Sequence, residues 1–379
     1  MIRLTVPSIE EDDLQAVREV IASGYLVQGR HVEIFEQAVA NYVGANYAIA
    51  VSNCTAALHL ALLAINVQQG DLVLVSAYSW IATANVIELC GAQPVFIDIE
   101  RDTFNMDPDA LQNTLSNLMS VPALAKRVKA ILPVHTFGLM ADLTKIINIA
   151  STYNLPVIED AACALGADIN EKKAGTWGVM GCFSFHPRKA ITTGEGGIIT
   201  TNDSAIARRL RSLRNHGIDT ESKEVDFIEP GFNYRMTEFQ AALGGTQMNK
   251  LERIIRARQT GAKRYNELLK NTAIKPPVSL KEQRHVYQSY IVLLPEQIAN
   301  LRDKLINQLK NEGIETTIGT YHMPLSKYYS TRYGYKLGDL PIAEEVRRRS
   351  LALPLYETIK QEEQTKVINH LLTFNDKYV

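Results

Sequence analysis

Short apolar runs alternate with longer segments of helical periodicity along the first 200 residues. The apolar runs are rich in β-branched or aromatic residues, which is typical of buried strands. They cover residues 72–75, 94–97, 130–134, 157–158, 182–185 and 198–200. Most of them are separated by helical patterns, so the chain is predicted to form βαβ units and a mostly parallel, wound sheet flanked by helices.

The pattern changes beyond Gly231, where residues 237–269 are predicted to form one long helix. After two consecutive prolines the pattern predicts a strand over 287–294, a helix over 298–312, a short strand near 314–318 and a last helical section through residue 371. These elements indicate a smaller C-terminal α+β domain. We divide the chain into a large domain over residues 1–250 and a small domain over residues 251–379.

Composition narrows the class of protein. The chain has 379 residues, of which 46% are hydrophobic and 21% are charged, as in globular proteins with a sizeable core. Its 40 basic and 41 acidic residues give a formal net charge of −1, so nucleic acid is not an expected partner. The four cysteines are scattered without zinc-ligand spacing, and no apolar run approaches a membrane span. We expect a cytoplasmic protein with no metal and no membrane partner.

A lone lysine stands between two predicted strands in the segment GCFSFHPRKAITTGEGGIITT. Lys189 is either a surface residue that extends into solvent or a buried amine available for Schiff-base chemistry. The glycines that follow, Gly194, Gly196 and Gly197, are typical of a backbone that approaches a bulky group closely, although a tight turn would also use them.

Two other segments place polar groups where ligands bind. Asp160 follows a predicted strand, where it could meet a ligand or cap a helix. Ser52, Asn53, Cys54 and Thr55 open an Ala-rich helix over residues 55–65, whose first turn could bind a phosphate group. The chain lacks a Walker A motif and a dinucleotide-binding glycine motif, so neither nucleotide hydrolysis nor NAD binding is indicated.

Taken together, these segments indicate pyridoxal phosphate. The cofactor needs an amine for its aldehyde, a carboxylate for its ring nitrogen, a phosphate site and a flat neighbour for its ring. Lys189, Asp160, the helix start near Cys54 and the aromatic Trp80 meet these needs.

With these segments in this order, the chain resembles the DegT/StrS family of pyridoxal-phosphate sugar aminotransferases, which have the aspartate aminotransferase fold, fold type I. The resemblance covers nearly the whole chain. It is carried by segments such as SAYSWIATANVIELCGAQPVFIDIE, VIEDAACALGA, FSFHPRKAITTGEGGIITT, GFNYRMTEFQAALG and LPIAEEVRRRSLALPLY.

The resemblance implies a role for each matching residue. Lys189 forms the Schiff base and transfers the proton, Asp160 pairs with the ring nitrogen, and Trp80 stacks on the ring. The phosphate is bound by Cys54, Thr55 and Ser184, with Asn233 contributed by the neighbouring subunit. The family therefore implies a homodimer with shared active sites, and the long helix after residue 237 is available for subunit contact.

Two positions depart from the family pattern. Cys163 stands where the family often has Gln or His near the cofactor's ring oxygen, and a thiol is a weak hydrogen-bond partner. Ser326 replaces a His near the sugar, where Tyr321 is expected to keep its role and His322 to compensate.

Other polar residues have two interpretations. His186 is a candidate for contact with cofactor or substrate, whereas His135 is expected to be structural. The run Arg347-Arg348-Arg349 is either a solvated helix face or a source of charge for a nucleotide diphosphate.

The function that the resemblance implies is transfer of an amino group, from L-glutamate, to a keto group of a nucleotide-activated sugar. The product would serve a surface polysaccharide such as lipopolysaccharide, or a secondary metabolite. Alternatives are amination of a cyclitol or another ketone, and a sugar dehydratase, in which the family implies that His replaces the lysine. A regulator that has lost catalysis is a further alternative, but the family pattern fills the chain and leaves no room for a DNA-binding domain.

Overall fold

The computed structural model describes residues 1–278 and 280–378. Its strands are β1 (Tyr47–Val51), β2 (Leu72–Ser76), β3 (Tyr78–Ser79), β4 (Gln93–Ile97), β5 (Val128–Leu132), β6 (Ile158–Asp160), β7 (Asp168–Ile169), β8 (Lys172–Lys173), β9 (Met180–Ser184), β10 (Gly197–Thr201), β11 (Gln283–Arg284), β12 (Tyr290–Leu293), β13 (Thr317–Ile318), β14 (Tyr321–His322) and β15 (Ser350–Leu353).

The helices alternate with the strands over the first part of the chain. They are α1 (Glu11–Ser23), α2 (Arg30–Val43), α3 (Cys54–Ala64), α4 (Ala82–Leu89), α5 (Pro108–Met119), α6 (Pro122–Ala125), α7 (Leu143–Thr152), α8 (Ser204–Leu213), α9 (Glu238–Leu269), α10 (Arg302–Asn311), α11 (Lys327–Tyr333), α12 (Pro341–Arg349) and α13 (Gln361–Tyr378). Short 3-10 helices cover Thr136–Gly138, Glu296–Leu301 and Met323–Leu325.

The large sheet has the strand order β4-β2-β5-β6-β9-β10-β1. Two parallel bridges, Ile131 with Val157 and Val134 with Asp160, join β5 to β6 and so unite the two halves of this sheet. In this sheet β10 is antiparallel to both of its neighbours, and the other adjacent pairs are parallel. The predicted mostly parallel, wound sheet is confirmed, and with it the fold class.

Helices cover both faces of this sheet because the strand side chains alternate between two cores. Along β2, for example, Val73 and Val75 pack into one core, while Leu72 and Leu74 pack into the other. Each predicted apolar run overlaps a strand. Strand β1 was missed by the sequence interpretation because alanines dilute the β-branched signal of YAIAV.

The parallel strands run in one direction, so their carboxyl ends share one edge of the sheet. This edge carries the start of α3 after β1, Asp160 at the end of β6 and Ser184 at the end of β9. The loop that follows β9 contains Lys189. The topology therefore brings the start of α3, Asp160, Ser184 and the Lys189 loop to one edge of the sheet.

A smaller antiparallel sheet, β12-β15-β13, lies in the C-terminal part of the chain. The predicted last helical section through residue 371 is wrong at residues 350–353, where β15 forms the middle strand of this sheet. A short buried apolar run such as Ser350–Leu353 cannot be told from a helix segment by periodicity alone.

The core beneath the small sheet includes Ile2 from the N-terminus and residues from Ala262 onward. Helix α9 runs through residue 250 without a break, so the division into residues 1–250 and 251–379 stays a prediction. Within the described residues, no helix combines the length and the apolar character that crossing a membrane requires.

Candidate active site

Lys189 lies beside Cys163 at the carboxyl edge of the large sheet. Its Nζ donates a hydrogen bond to Cys163 Sγ at 3.1 Å, and its backbone N–H donates to the His186 carbonyl at 2.8 Å. Burial alone would lower the pKa of Lys189, but the surrounding groups, chiefly Cys163, favour the ammonium, and the pKa is raised. The half-buried lysine thus lies among groups that favour its charged form.

Asp160 is the buried carboxylate of the site, with 3% of its surface exposed. Thr83 Oγ1 donates to one carboxylate oxygen at 2.7 Å, and the Ala162 N–H donates to the other at 3.2 Å. Burial raises the pKa of Asp160, and the two hydrogen bonds oppose that shift. A carboxylate accepts about four hydrogen bonds, so Asp160 can still receive a proton donor such as a ring N–H.

Glu159, the other member of the acidic pair, has a structural role. Strand side chains alternate, so it points away from Asp160. It accepts hydrogen bonds from the backbone N–H groups of Gly175, Trp177 and Gly178 at 2.7–2.8 Å. His135 Nδ1 accepts from a backbone N–H, so its proton lies on Nε2, which donates to Glu159 at 3.0 Å. Both residues are fully buried and fix the loop that supports β9.

The start of α3 forms the part of the site that suits a phosphate group. Asn53 is the N-cap residue, and its side chain accepts from the Ala56 N–H at 2.8 Å. Gly197, paired with Ser184 across β9 and β10, faces this turn so closely that a Cβ would lie 2.4 Å from the Asn53 carbonyl oxygen. The geometry therefore brings Ser184 to the first turn of α3.

The first residues of α3 differ in environment. Thr55 is exposed, whereas Cys54 is partly buried, and burial raises the pKa of its thiol well above the ordinary value. Asp160, Lys189 and Cys163 also influence that pKa, so these groups form one electrostatic cluster. Free backbone N–H groups and the helix dipole at this end favour a dianion.

Trp80 and Tyr321 form an aromatic pair at the rim of the site. Their ring centroids are 5.5 Å apart with an interplanar angle of 72°, and 60% and 45% of their surfaces are exposed. The pairing of β3 with β14 brings them together, with Tyr321 opposite Ser79. Trp80 is connected to the cluster through Thr83, whose Oγ1 lies 3.1 Å from the Trp80 carbonyl oxygen.

His322 is separated from this aromatic pair. It follows Tyr321 in β14, so its ring points into the protein, and burial lowers its pKa. Neither ring nitrogen has a hydrogen-bond partner among the described residues, and the same holds for the buried Ser326 hydroxyl. A substrate contact by His322 stays a prediction.

The side chains of His186 and Asn233 form no hydrogen bond to the side chain of Lys189 or Asp160 among the described residues. His186 Nδ1 accepts from the Arg188 N–H at 3.2 Å, and burial lowers the pKa of the imidazole. Asn233 is exposed, opposite Asn215 in an isolated bridge. In the described chain no hydrogen bond joins Asn233 to Lys189 or Ser184.

Thr83 and Ser79 are the residues that sequence reasoning missed. Ser79 Oγ lies 3.1 Å from Thr83 Oγ1, which in turn holds Asp160. The only sequence signal is a pair of hydroxyl residues on either side of Trp80 in SAYSWIATAN. Together, the buried amine, the carboxylate with spare acceptor capacity and the helix start fit pyridoxal phosphate.

Comparison with known proteins identifies the family of this chain. The family model for the DegT/DnrJ/EryC1/StrS aminotransferase family matches residues 7–372. GDP-perosamine synthase of Caulobacter vibrioides is 38% identical over 371 residues, covering 97% of this chain and 96% of the relative.

Solved structures show the same likeness. Helicobacter pylori PseC, an aminotransferase involved in the biosynthesis of pseudoaminic acid, has a TM-score of 0.91 and 26% identity and covers 98% of each chain. The PLP form of Spr1654 from Streptococcus pneumoniae also has a TM-score of 0.91 and 26% identity, covering 100% of this chain and 99% of that one.

Proposed function

Because this chain belongs to the DegT/DnrJ/EryC1/StrS aminotransferase family, it is a pyridoxal-phosphate-dependent sugar aminotransferase, and we propose that it transfers the amino group of L-glutamate to a keto group of a nucleotide-activated sugar. The observation that supports aminotransfer most directly is the buried amine of Lys189 beside Cys163 and near Asp160. The nucleotide-activated substrate is supported by the relative named GDP-perosamine synthase.

Lys189 is the proposed catalytic residue. When bound, pyridoxal phosphate supplies a carbonyl that takes up amines and a ring that withdraws electrons from the carbon bearing the amine. Lys189 would hold the cofactor and, with its amine free, would move a proton at Nζ from the donor's α-carbon to the cofactor carbon that receives the amino group. Its position against Cys163 Sγ keeps that amine within the site after release.

Asp160 is proposed to hold a proton at the ring nitrogen. A buried carboxylate interacts strongly with a nearby cation because little water screens the charge. Thr83 and the Ala162 N–H orient the carboxylate and leave acceptor positions open. These contacts support a fixed carboxylate that keeps the ring protonated throughout the reaction.

The start of α3 is proposed to bind the phosphate through backbone N–H groups near Cys54 and Thr55, with the Ser184 hydroxyl as a further donor. Asn233 is proposed to reach this site from the partner subunit of a homodimer. Its exposure, and the absence of a hydrogen bond to Lys189 or Ser184 within the described chain, leave it available for that contact.

Subunit mixing tests the shared site. A dimer of one Lys189→Ala subunit and one Asn233→Asp subunit keeps one intact site, because both changes fall in the same site. Two inactive variants should therefore regain about a quarter of the wild-type activity after exchange of subunits. A mixture that stays inactive after demonstrated exchange contradicts the shared site.

Trp80, Tyr321 and His186 are proposed to contact the cofactor ring or the sugar from the open side of the site. Trp80 and Tyr321 present exposed aromatic surface there. The product would be an amino sugar for a surface polysaccharide or a secondary metabolite, made in the cytoplasm.

Absorption spectroscopy tests the function. Purified protein with pyridoxal phosphate should show the visible band of lysine-bound cofactor, and L-glutamate should convert it to the aminated form. Lys189→Arg keeps the positive charge but cannot form the Schiff base, so it should lack both the band and the conversion. A wild-type band that L-glutamate leaves unchanged would contradict the amino donor. Turnover of a cyclitol ketone without any nucleotide sugar would contradict the substrate class.

A further inference from the structure

The three arginines at the end of α12 differ in their partners. Arg348 forms an ion pair with Glu296 at 2.6 Å, and Arg349 pairs with Glu345 and donates to the Leu294 carbonyl. Arg347 has no carboxylate oxygen within 4 Å in the part of the chain that the structure describes. The favourable position of cations at a helix C-terminus applies to all three residues and does not explain this difference.

Arg347 instead lies against an aromatic ring. Its guanidinium carbon is 5.7 Å from the centroid of Tyr321, and Tyr321 packs against Trp80. The side chain is partly buried, and burial lowers its pKa, as does the neighbouring Arg302 guanidinium. A partly desolvated cation that is repelled by a second cation is a site where a bound anion would be stabilised.

A chain of contacts connects Arg347 to Asp160. Trp80 is joined through Thr83 to Asp160, and Tyr321 stands between Trp80 and Arg347. The row Asp160, Thr83, Trp80, Tyr321 and Arg347 thus leads from the reaction centre to an unpaired positive charge. A ligand with its reacting carbon at the cluster and an anionic group further out matches this order.

We propose that Arg347 binds the diphosphate of the nucleotide-activated sugar, and that Tyr321 and Trp80 present their aromatic surfaces to the part of the substrate between the diphosphate and the reacting carbon. This inference rests on the proposed function. A guanidinium suits the role because its planar set of donors matches phosphate oxygens in pairs. Tyr321 supports the guanidinium plane through its ring face.

Titration calorimetry with UDP, GDP, CDP and dTDP tests the proposal on the protein loaded with pyridoxal phosphate. At least one of these nucleoside diphosphates should bind the wild type, with an affinity that falls as salt is added. Arg347→Gln should weaken that binding at least about 10-fold, the loss expected for a charge-assisted hydrogen bond. Arg348→Gln is the matched control, because it removes the same charge from a residue paired with Glu296. The affinity of this variant for the nucleoside diphosphate should stay within about twofold of the wild-type affinity.

Further measurements separate the possible failures. If the wild type does not react with L-glutamate, the amino donor of the proposed function is contradicted, whatever the nucleotide affinity. If it reacts with L-glutamate but binds none of the four nucleotides, or binds them as tightly in Arg347→Gln, the role of Arg347 is overturned.

One further variant, Arg347→Lys, completes the test. Should Arg347→Gln fail to fold, Arg347→Lys keeps a charge without the planar donor set and should weaken binding by a smaller factor. Affinity equal to that of the wild type in Arg347→Lys, together with weak salt dependence, would overturn the proposal. A specific loss of L-glutamate reactivity in Arg347→Gln, with nucleotide binding unchanged, would assign Arg347 to the amino donor and overturn it as well.

Discussion

Cys163 Sγ accepts a hydrogen bond from Lys189 Nζ at 3.1 Å, although 26 positions separate the two residues along the chain. The family pattern often has Gln or His at this position, so a thiol here gives the lysine a softer and more polarizable neighbour. The position predicted to contact the cofactor's ring oxygen thus contacts the amine in this structure.

Replacing Cys163 should change the behaviour of Lys189. Cys163→Ala removes the acceptor, and we expect the half-reaction with L-glutamate to slow about 3- to 10-fold, the effect of one lost hydrogen bond. Cys163→Ser keeps an acceptor and should stay within about twofold. Stopped-flow absorbance across pH would measure both the rate and the titration of the lysine-bound cofactor. Equal rates and pH profiles in wild type and Cys163→Ala would show that the thiol does not position the amine.

Thr83 should act through Asp160. Thr83→Val keeps the shape but removes the donor to the carboxylate, so the pKa of Asp160 should rise further and its pairing with a ring N–H should weaken. We expect the half-reaction to slow about 10-fold, with its pH profile displaced toward higher pH. Thr83→Ser, which retains the hydroxyl, is the control and should resemble the wild type. A Thr83→Val enzyme with an unchanged pH profile would leave Thr83 with a packing role alone.

Gly197 should be sensitive to any side chain. A Cβ there would lie 2.4 Å from the Asn53 carbonyl oxygen and 2.8 Å from the Cys54 nitrogen, both backbone atoms that must move to accommodate it. Gly197→Ala should therefore displace the first turn of α3 and weaken binding of pyridoxal phosphate at least about 10-fold, as for a lost charge-assisted contact. Gly245→Ala is the control, because a Cβ at that helical position meets no atom within 4 Å. Fluorescence titration with the cofactor would compare them, and equal affinities would contradict this role of the turn.

Protonation of Glu252 at acidic pH should lower the free energy of unfolding. Arg284 donates to both of its oxygens at 3.0 and 2.7 Å, Tyr42 donates at 2.6 Å, and the pKa of Glu252 falls from 4.5 to about 2. Because the pKa of Glu252 is lower in the folded than in the unfolded protein, its carboxylate stabilises the fold at pH values above the unfolded-state pKa. This contribution is lost as the pH falls from about 4.5 toward 2.

The matching variant is Glu252→Gln. Because Glu252 is partly exposed, we expect the Glu252→Gln substitution to lower the free energy of unfolding by only about 1 kcal/mol at pH 6. The difference in unfolding free energy between wild type and variant should shrink as the pH approaches 3. Urea unfolding at several pH values would measure this difference. Glu224→Gln, at an exposed position without an ion pair among the described residues, should show no such trend. A difference that stays constant from pH 6 to pH 3 would contradict the proposed linkage.

The position of Glu159 and Asp160 was predictable from the sequence, whereas their different roles were not. Their place at the end of a buried strand was predictable, because a short β-branched run is a local property. Their division into a structural carboxylate and a site carboxylate depends on which neighbour lies on each side of β6. The backbone N–H groups at 175–178 face Glu159, whereas Thr83 faces Asp160.

The arginine run gives a second example. Its helical periodicity and charge were visible in the sequence, and both a solvated face and a diphosphate contact were compatible with them. Only the packing of α12 shows that Arg348 and Arg349 have carboxylate partners and that Arg347 lies against Tyr321.

The sequence by itself determined the βαβ pattern, the capped start of α3 and the order of residues that indicates the cofactor, because periodicity and capping act over a few neighbouring residues. The tertiary structure alone decided that Cys163 contacts Lys189, that Thr83 holds Asp160 and that β15 lies inside the small sheet. These contacts join residues that are distant along the chain, and they depend on strand order and helix packing, which no local pattern encodes.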